Sequence, residues 1–471
     1  MKPIYKIYLF ATVVFVIKCL LLPFVQVTDA DAVTRTLITL NWMEDPYVMD
    51  TANWAPFHFY LNAGILFFWK NAELAPVFLN ILLSSLLLIP FYHYLKREYN
   101  EHSAFYGVLF LSLSPIILRT GFLALAETPF LLSLILAINT ISKSIRENKL
   151  KWIFIAGFFM TLSAGFRYDA WVLIAIFSLG IWVSSNFKTA FYFGLVSSLF
   201  PVYWMLSNYL VTGNALHSIE ANFYYTHELV GINDHVSFSG YLRRIWFFPF
   251  SLLIGVGPII FYFAFKSFFA DMKNFKLSGQ QFILINVLLI WMIYFYQAIQ
   301  GNLLLHHRFT GTLILFSIPL ALTYFNELSK IKIRLALFSV SFTILLTYVY
   351  NMGGISPVPR LKNQEMVEAK RSFENKLNEN TGLLIDFIGW EESYYLGLNS
   401  GISPKQIYFV NGEINSSDHS NEIKSHLNRY PENIIILKKN SERYRFVKET
   451  VTKKTDTLYQ DKDLLIIHYQ Q

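Results

Sequence analysis

The sequence predicts an all-α polytopic membrane domain followed by a small α/β domain. Of its 471 residues, 54% are hydrophobic and only 15% are charged, whereas soluble domains carry about 25% charged residues. Apolar runs of membrane-spanning length recur from the N-terminus to about residue 350. None of these runs alternates with a period of two, which predicts membrane helices and not the strands of a barrel.

The apolar runs predict eleven transmembrane helices by their length and hydropathy. The predicted spans are 4–26, 74–95, 103–118, 124–142, 151–166, 170–184, 189–211, 246–265, 281–299, 309–326 and 332–350. The first run is too long for the core of a signal peptide and has no clear cleavage site, so we expect it to stay as a helix. Cys19, the one cysteine in the sequence, lies in this run, so no intrachain disulfide can form.

Lysine and arginine predict the orientation of these spans. If the N-terminus is cytoplasmic, the inner segments hold fifteen basic and five acidic residues, whereas the outer loops hold seven basic and eleven acidic ones. An excess of basic residues is the pattern of cytoplasmic loops. The sequence therefore predicts a multi-pass protein with a cytoplasmic N-terminus and an extracytoplasmic C-terminal domain.

Arginine predominates among the cations of the outer loops. Six of the seven are arginines, namely Arg35, Arg119, Arg167, Arg243, Arg244 and Arg308. The planar fork of arginine suits the recognition of phosphate and carboxylate groups. The alternative is that these arginines pair with acids of the outer loops and only hold those loops together.

The predicted division places residues 1–354 in the transmembrane domain, with a long first outer loop at 27–73. Residues 355–471 form the soluble extracytoplasmic α/β domain. Four short β-like runs, GLLIDFI, QIYFV, NIIILKK and DLLIIHY, alternate there with the helix-like stretches NQEMVEAKRSFENKL and SDHSNEIKSHLNRY. This part of the sequence contains no Gly-rich phosphate loop, metal-ligand spacing or nucleophile motif.

Ionisable residues collect at the predicted outer ends of the spans, and such residues at membrane depth tend to mark function. The first outer loop contributes Asp29, Asp31, Glu44, Asp45 and Asp50. Later segments contribute Glu127, Arg119, Arg167, Asp169, His217, His306, His307 and Arg308. Together they predict one wet pocket for an anionic, lipid-linked substrate. Taken singly, Glu127 suits a helix N-terminus, and Arg167 with Asp169 suits a loop salt bridge.

Several strings in this order resemble the GT-C superfamily of integral membrane glycosyltransferases. They are DADA, WAPFHFYLNAG, ALAETPF, AGFRYDAW, VTGNALHS and HHRFTGTLILFSIPL, and they cover about residues 1–350. The resemblance is closest to the branch of dolichyl-phosphate-mannose-protein mannosyltransferases and aminoarabinose transferases. FRYDAW matches the Arg-Tyr-acid motif of the family well. DADA departs from the adjacent acids of many relatives, and WAPFHFYLNA has one proline where relatives often have two.

The resemblance implies transfer of a monosaccharide from a polyprenyl-phosphate donor to a glycan, lipid or protein acceptor, with inversion at the anomeric carbon. The acceptor hydroxyl needs a carboxylate as base, and the departing phosphate needs cations. Asp29, Asp31 and Glu127 are the candidate catalytic carboxylates. Candidates for the donor phosphate are Arg308, Arg167, Arg119, His306 and His307, and weaker substrate-binding candidates are Asp169, His217, Trp54 and Tyr60.

Metal dependence stays open at this stage. The Asp-x-Asp spacing of Asp29 and Asp31 could chelate a divalent ion such as Mg²⁺ or Mn²⁺, and some relatives use a metal whereas others do not. Of these two acids, Asp29 is the predicted base, because the pattern DAVTRTLITL suggests Asp31 as the N-cap of a following helix. The expected partners are the lipid-linked donor, the acceptor and membrane lipids, and no nucleic acid.

Two other classes of protein compete with an enzyme. A transporter or flippase of lipid-linked sugars would favour polar or broken helices at mid-membrane and an inverted repeat, and neither is evident. A non-catalytic scaffold or receptor would leave the acids of the first outer loop without a purpose.

Overall fold

The computed structural model describes residues 3–26, 29–46, 54–229, 237–273, 280–323, 330–350, 354–361, 363–410, 417–439, 441–451 and 455–470. Asp50, one of the acids predicted in the first outer loop, lies outside the described residues.

The chain divides into two compact units. The first, here the helical unit, consists of Met1–Pro23, Asp50–His58 and Phe78–Val358. The second, here the sheet unit, consists of Phe24–Met49, Phe59–Val77 and Pro359–Gln471. Much of the first outer loop thus groups with the C-terminal residues, and the division predicted at residues 354 and 355 stays a prediction.

Helices dominate the first 350 residues. They are α1 (Pro3–Leu21), α2 (Ala30–Glu44), α3 (Phe57–Phe68), α4 (Leu74–Leu86), α5 (Leu88–Glu98), α6 (Glu101–Ser112), α7 (Pro115–Gly121), α8 (Glu127–Glu147), α9 (Lys151–Phe166), α10 (Asp169–Ser184), α11 (Phe187–Ser197), α12 (Leu199–Thr212), α13 (His217–Tyr224), α14 (Phe238–Val256), α15 (Pro258–Lys273), α16 (Gln280–Ile299), α17 (Gly311–Leu322) and α18 (Lys330–Val349). A 3₁₀ turn, His307–Thr310, leads directly into α17.

Five described helices are long and apolar enough to cross a membrane: Tyr5–Phe24, Leu74–Glu98, Glu127–Glu147, Phe282–Ile299 and Ile331–Val349. Counting each of three bent helix pairs as one span raises the number to eight. Shorter apolar helices cover Phe57–Phe68, Lys151–Phe166, Asp169–Ser184 and His307–Leu322. Every predicted span falls on one of these helices or pairs, which agrees with a multi-pass membrane protein. The number eleven itself stays a prediction.

The predicted span at 246–265 is not one straight helix. It crosses the junction of α14 and α15, whose axes differ by 117°. Gly257, at φ +80°, ends α14, and Pro258 starts α15. Glycine adopts this conformation without a steric penalty, and proline fits the first turn of a helix. A hydropathy window averages over such a break, which explains why the window predicted a single span.

The sheet unit contains a five-stranded sheet in the order β2-β1-β3-β5-β4. The strands are β1 (Thr381–Asp386), β2 (Ile407–Val410), β3 (Glu432–Lys438), β4 (Thr455–Gln460) and β5 (Leu464–Gln470). Strands β1, β2 and β3 are parallel, whereas β5 pairs antiparallel with both β3 and β4. Helices α19 (Glu365–Phe373), α20 (Trp390–Leu398), α21 (Ser417–Arg429) and α22 (Glu442–Thr450) complete the unit.

Two hydrophobic cores lie on opposite faces of this sheet. Side chains of α19 and α20 contribute to one core, and side chains of α21 and α22 contribute to the other. The four β-like runs of the sequence correspond to β1, β2, β3 and β5, which confirms the small C-terminal α/β arrangement. Strand β4 was missed because it is a largely exposed edge strand without an apolar alternation.

Candidate active site

Glu127 occupies the first position of α8 and is 5% exposed. The loop before it is held in place by Asn80, whose side-chain amide donates to the carbonyl oxygens of Leu123 and Leu125. A carboxylate at this end of a helix interacts favourably with the helix dipole. Glu127 therefore lies at the start of a helix, as ALAETPF suggested, although the N-cap is Ala126. Its location at the outer face of the membrane stays a prediction.

Arg167 and Asp169 flank the junction of α9 and α10. Nε of Arg167 donates to Oδ2 of Asp169 at 2.6 Å, and Nη1 donates to Oε1 of Glu127 at 2.5 Å. Helices α8 and α9 pack together, with the hydroxyls of Ser133 and Ser163 at 2.8 Å, so that Glu127 and Arg167 lie at adjacent helix ends. The predicted loop salt bridge exists, and it extends to a second carboxylate.

Arg167 is held as a cation by its surroundings. Burial lowers the pKa of Arg167, but the carboxylates of Asp169 and Glu127 raise it by more, so that this pKa lies above its usual range. The guanidinium carbon also lies 4.7 Å from the ring centre of Phe309, within the range of a cation–π interaction. Arg167 therefore has a fixed charge and a fixed orientation.

Arg308 joins the same group from the turn before α17. Its Nε lies 3.2 Å from Oε1 of Glu127, and only 9% of its side chain is exposed. We call Glu127, Arg167, Asp169 and Arg308 the four-charge cluster. They line a small, partly open recess together with Phe130, Leu131, Tyr294, Phe309, Gly311 and Thr312. Two cations and two carboxylates thus meet at a cavity in the helical unit.

Arg119, His306 and His307 are not among the described residues that line the recess. Helix α7, which carries Arg119, packs against the turn His307–Thr310. Nη1 of Arg119 donates to the carbonyl oxygen of Ser356 at 3.4 Å. The ring of His307 lies 3.0 Å from Oγ of Ser251, and His306 is exposed. The structure therefore brings these predicted phosphate-binding residues near Arg308, with Arg308 itself in the recess.

Asp29 and Asp31 belong to the sheet unit, and the N-cap of α2 is not the residue that the sequence pattern predicted. Asp29 is the N-cap of α2, because its Oδ1 accepts the backbone N–H of Asp31 at 3.1 Å. Asp31 lies in the first turn. The prediction of Asp31 as the N-cap was wrong, since the helix starts at Ala30, two residues before the start that the apolar pattern suggested.

Metal binding by Asp29 and Asp31 stays a prediction. Among the described residues, no group of three or more His, Cys, Asp or Glu side chains could hold a metal ion. The N-terminus of α2 carries a partial positive charge, which disfavours a cation there. We therefore assign no step of the chemistry to a metal.

Three of the four weaker substrate-binding candidates lie elsewhere in the described part of the chain. His217 is the first residue of α13 and is half-buried. Trp54 is half-buried in the helical unit. Tyr60 is exposed on α3 in the sheet unit and packs edge-to-face on Trp42 at 5.3 Å. None of the three is among the described residues that line the recess.

Tyr294 and Phe309 are two of the six lining residues that the sequence analysis did not predict. The hydroxyl of Tyr294 donates to the carbonyl oxygen of Phe309 at 3.0 Å, and the ring of Phe309 lies under both arginines. Tyr294 occurs in the aromatic run WMIYFYQAI, in which nothing distinguishes it from lipid-facing neighbours. Phe309 directly follows the candidate Arg308 in the sequence, and this adjacency was the signal that could have identified Phe309 as a site residue.

Residues 53–206 match a family model described as dolichyl-phosphate-mannose-protein mannosyltransferase. The match covers about a third of the chain and includes Glu127, Arg167 and Asp169, but neither Arg308 nor the acids of α2. No curated protein sequence matches this chain significantly.

Solved structures share the fold at low sequence identity. ArnT from Cupriavidus metallidurans, bound to undecaprenyl phosphate, is 11% identical, with a TM-score of 0.67 over 98% of this chain and 97% of that one. An oligosaccharyltransferase from Archaeoglobus fulgidus, in complex with zinc and sulfate, is 12% identical, with a TM-score of 0.55 over 87% of this chain and 64% of that one. The same archaeal protein tethered to an acceptor peptide matches with a TM-score of 0.52 at 12% identity, over 91% and 69% of the two chains.

The family match and the fold agree with the order of motifs in the sequence. The resemblance is thereby confirmed: this chain has the fold of the GT-C integral membrane glycosyltransferases.

Proposed function

We propose that this protein transfers a monosaccharide from a polyprenyl-phosphate donor to an acceptor at the outer face of the membrane. The observation that carries the proposal is the four-charge cluster, which lies at a recess of a fold shared with a protein solved with undecaprenyl phosphate. A related fold was solved with a tethered acceptor peptide. Donor and acceptor are thus proposed by class, and the sugar remains to be identified.

The arginines of the cluster suit the departing lipid phosphate. Negative charge grows on this phosphate as the glycosidic bond breaks, and preoriented cations stabilise such charge. Glu127 shares one carboxylate oxygen between Arg167 and Arg308, which fixes the orientation of both guanidinium groups. We therefore propose that Glu127 orients the two arginines and does not act as the base. Arg308, which meets Glu127 through Nε, is the proposed phosphate clamp.

The proposed base is Asp29, with Asp31 beside it. A neutral hydroxyl is a poor nucleophile, so a carboxylate must accept its proton as it attacks the anomeric carbon. One displacement of this kind inverts the anomeric centre and releases the polyprenyl phosphate. The N-cap position of Asp29 fixes its carboxylate through the backbone of α2.

The transfer is tested directly with the purified protein in lipid nanodiscs. We expect one polyprenyl-phosphate sugar of a cell-envelope extract to be consumed, with release of free polyprenyl phosphate only when an acceptor fraction is present. The Asp29→Asn protein serves as the control and should consume none. Movement of an intact lipid-linked sugar between vesicle leaflets, without release of the phosphate, would instead identify a transporter.

The orientation is tested with reporter fusions. A reporter that is active only in the cytoplasm should be silent when fused after Gln471 and active when inserted after Lys149, because the fifteen-to-five excess of basic residues assigns these positions to opposite sides. An active fusion at Gln471 would mean that the span count is wrong by one. Measuring both fusions in one strain removes differences in expression.

A further inference from the structure

One face of α14 contacts the segment that leads to Arg308. Arg244, Phe247, Phe248 and Ser251 follow one another at helical spacings of three, one and three residues, which places them on one side of the helix. Helix α14 packs against α16, α17 and the turn His307–Thr310. Helix α14 therefore contacts the elements at both ends of the segment between α16 and α17.

Arg244 is almost completely buried despite its charge. It is 1% exposed, and its Nη1 donates to the carbonyl oxygens of Ala298 and Leu303 at 3.1 and 3.0 Å. These carbonyls bracket a turn at Gly301, whose φ is +77°. The N–H of Gly301 also bonds the carbonyl of Ala298 at 3.1 Å. Arg244 thus joins the end of α16 to the start of the segment that carries Arg308.

Ser251, two turns further along α14, contacts the other end of this segment. Its hydroxyl lies 2.7 Å from Oγ1 of Thr310 and 3.0 Å from Nδ1 of His307. Phe247 stacks on the ring of His307 with the ring centres 4.6 Å apart. The residues on both sides of Arg308 are therefore attached to α14.

We propose that α14 positions Arg308, with Arg244 and Ser251 as the positioning residues, for binding of the donor phosphate. The inference rests on the proposed function, because it assumes that Arg308 binds that phosphate. Neither Arg244 nor Ser251 needs to touch the donor. Each acts by fixing the backbone on one side of Arg308, and a bidentate arginine contact is sensitive to small displacements of the guanidinium group.

The chain offers a matched pair of substitutions. Arg243 and Arg244 are adjacent on α14, but Arg243 is exposed whereas Arg244 is buried. Arg244→Gln and Arg243→Gln each remove one positive charge, at adjacent positions along α14. We expect Arg244→Gln to raise the Kd for polyprenyl phosphate, a probe without a sugar, by about tenfold, which equals roughly 1.4 kcal/mol. Arg243→Gln should leave this Kd unchanged.

Ser251→Ala is the second variant, because removal of a buried arginine can prevent folding. It deletes one hydroxyl and leaves the helix intact, and we expect it to raise the same Kd by about threefold, roughly 0.6 kcal/mol. Each variant is then combined with Arg308→Lys. If α14 acts through Arg308, the combined loss should be smaller than the sum of the single losses.

The readouts separate positioning from general stability. A positioning role raises the Kd for polyprenyl phosphate in the folded fraction, whereas a merely structural role lowers the folded fraction and leaves that Kd unchanged. An unchanged Kd in folded Ser251→Ala and Arg244→Gln, or additive losses with Arg308→Lys, would overturn the inference and leave the proposed function standing. Failure of the unsubstituted protein to bind polyprenyl phosphate would overturn both.

Discussion

Asp29→Asn should abolish sugar transfer while leaving donor binding and folding intact. Loss of a general base typically costs about 10² to 10⁴ in rate. Asparagine is nearly isosteric with aspartate and caps helices about equally well. The hydrogen bond from the N–H of Asp31 to the side chain at position 29 is therefore retained. The substitution removes the basic oxygen and preserves the start of α2.

The measurement is single-turnover release of polyprenyl phosphate, with donor affinity and thermal unfolding recorded on the same preparation. Asp31→Asn is the matched control, since it makes the same chemical change two residues away in the first turn of α2. It weakens the attraction between a carboxylate and the helix dipole, which contributes about 0.3 to 1 kcal/mol. We expect this control to keep most of its activity.

Asp29→Ala adds a second comparison, because alanine removes both the base and the cap. We expect Asp29→Ala to be as inactive as Asp29→Asn but less stable, by about 1 kcal/mol, a typical loss for an N-cap. An active Asp29→Asn protein together with an inactive Asp31→Asn protein would assign the base to Asp31. Activity in both would remove the first outer loop from the chemistry.

The start of α2 illustrates what a sequence pattern leaves undetermined. Two aspartates at i and i+2 both suit an N-cap, and the pattern DAVTRTLITL favours Asp31. The structure starts the helix at Ala30 because the N–H of Asp31 finds its acceptor in the side chain of Asp29. A difference of two residues at a helix end is within the usual uncertainty of sequence patterns, yet it moves the N-cap from one candidate catalytic carboxylate to the other.

The helical unit was predictable for a different reason. Apolar length identifies a membrane helix with few competing interpretations, and charges at helix ends stand out against an apolar background. The sequence therefore placed Glu127, Arg167, Asp169 and Arg308 at the ends of helices before any contact was known. It could not place Arg244, whose buried role depends on carbonyl oxygens that any residue carries.

Arg308→Lys should weaken binding of polyprenyl phosphate by about ten- to a hundredfold, since hydrogen bonds to charged groups contribute roughly 1.5 to 3 kcal/mol. Lysine keeps the positive charge but replaces the planar fork by a single ammonium group. In the structure, Nε of Arg308 faces Glu127, and only a guanidinium group can contact that carboxylate and a phosphate at once with fixed geometry. The positive charge of lysine at position 308 should therefore not be enough to bind the phosphate tightly.

Two further arginine-to-lysine variants separate the loss of phosphate affinity from a loss of stability and from the general effect of replacing arginine by lysine. Arg146→Lys is the control, because Arg146 lies at the opposite end of α8 from Glu127, pairs with Glu98 and has a side chain that is 51% exposed. Its effect on donor affinity should be negligible. Arg167→Lys should mainly lower thermal stability, because Arg167 binds Asp169 and Glu127 at 2.6 and 2.5 Å and thereby joins α8 to the α9–α10 turn.

The Kd for polyprenyl phosphate, measured in nanodiscs beside the unfolding temperature of each variant, decides among these roles. We expect Arg308→Lys to raise the Kd at unchanged stability. Arg167→Lys should lower the unfolding temperature with little change in Kd, and Arg146→Lys should change neither. A well-folded Arg308→Lys protein with unchanged Kd would show that Arg308 serves only to balance Glu127. The phosphate contact would then pass to Arg167, in the same cluster, or to Arg119, which is carried by the helix packed against the turn that holds Arg308.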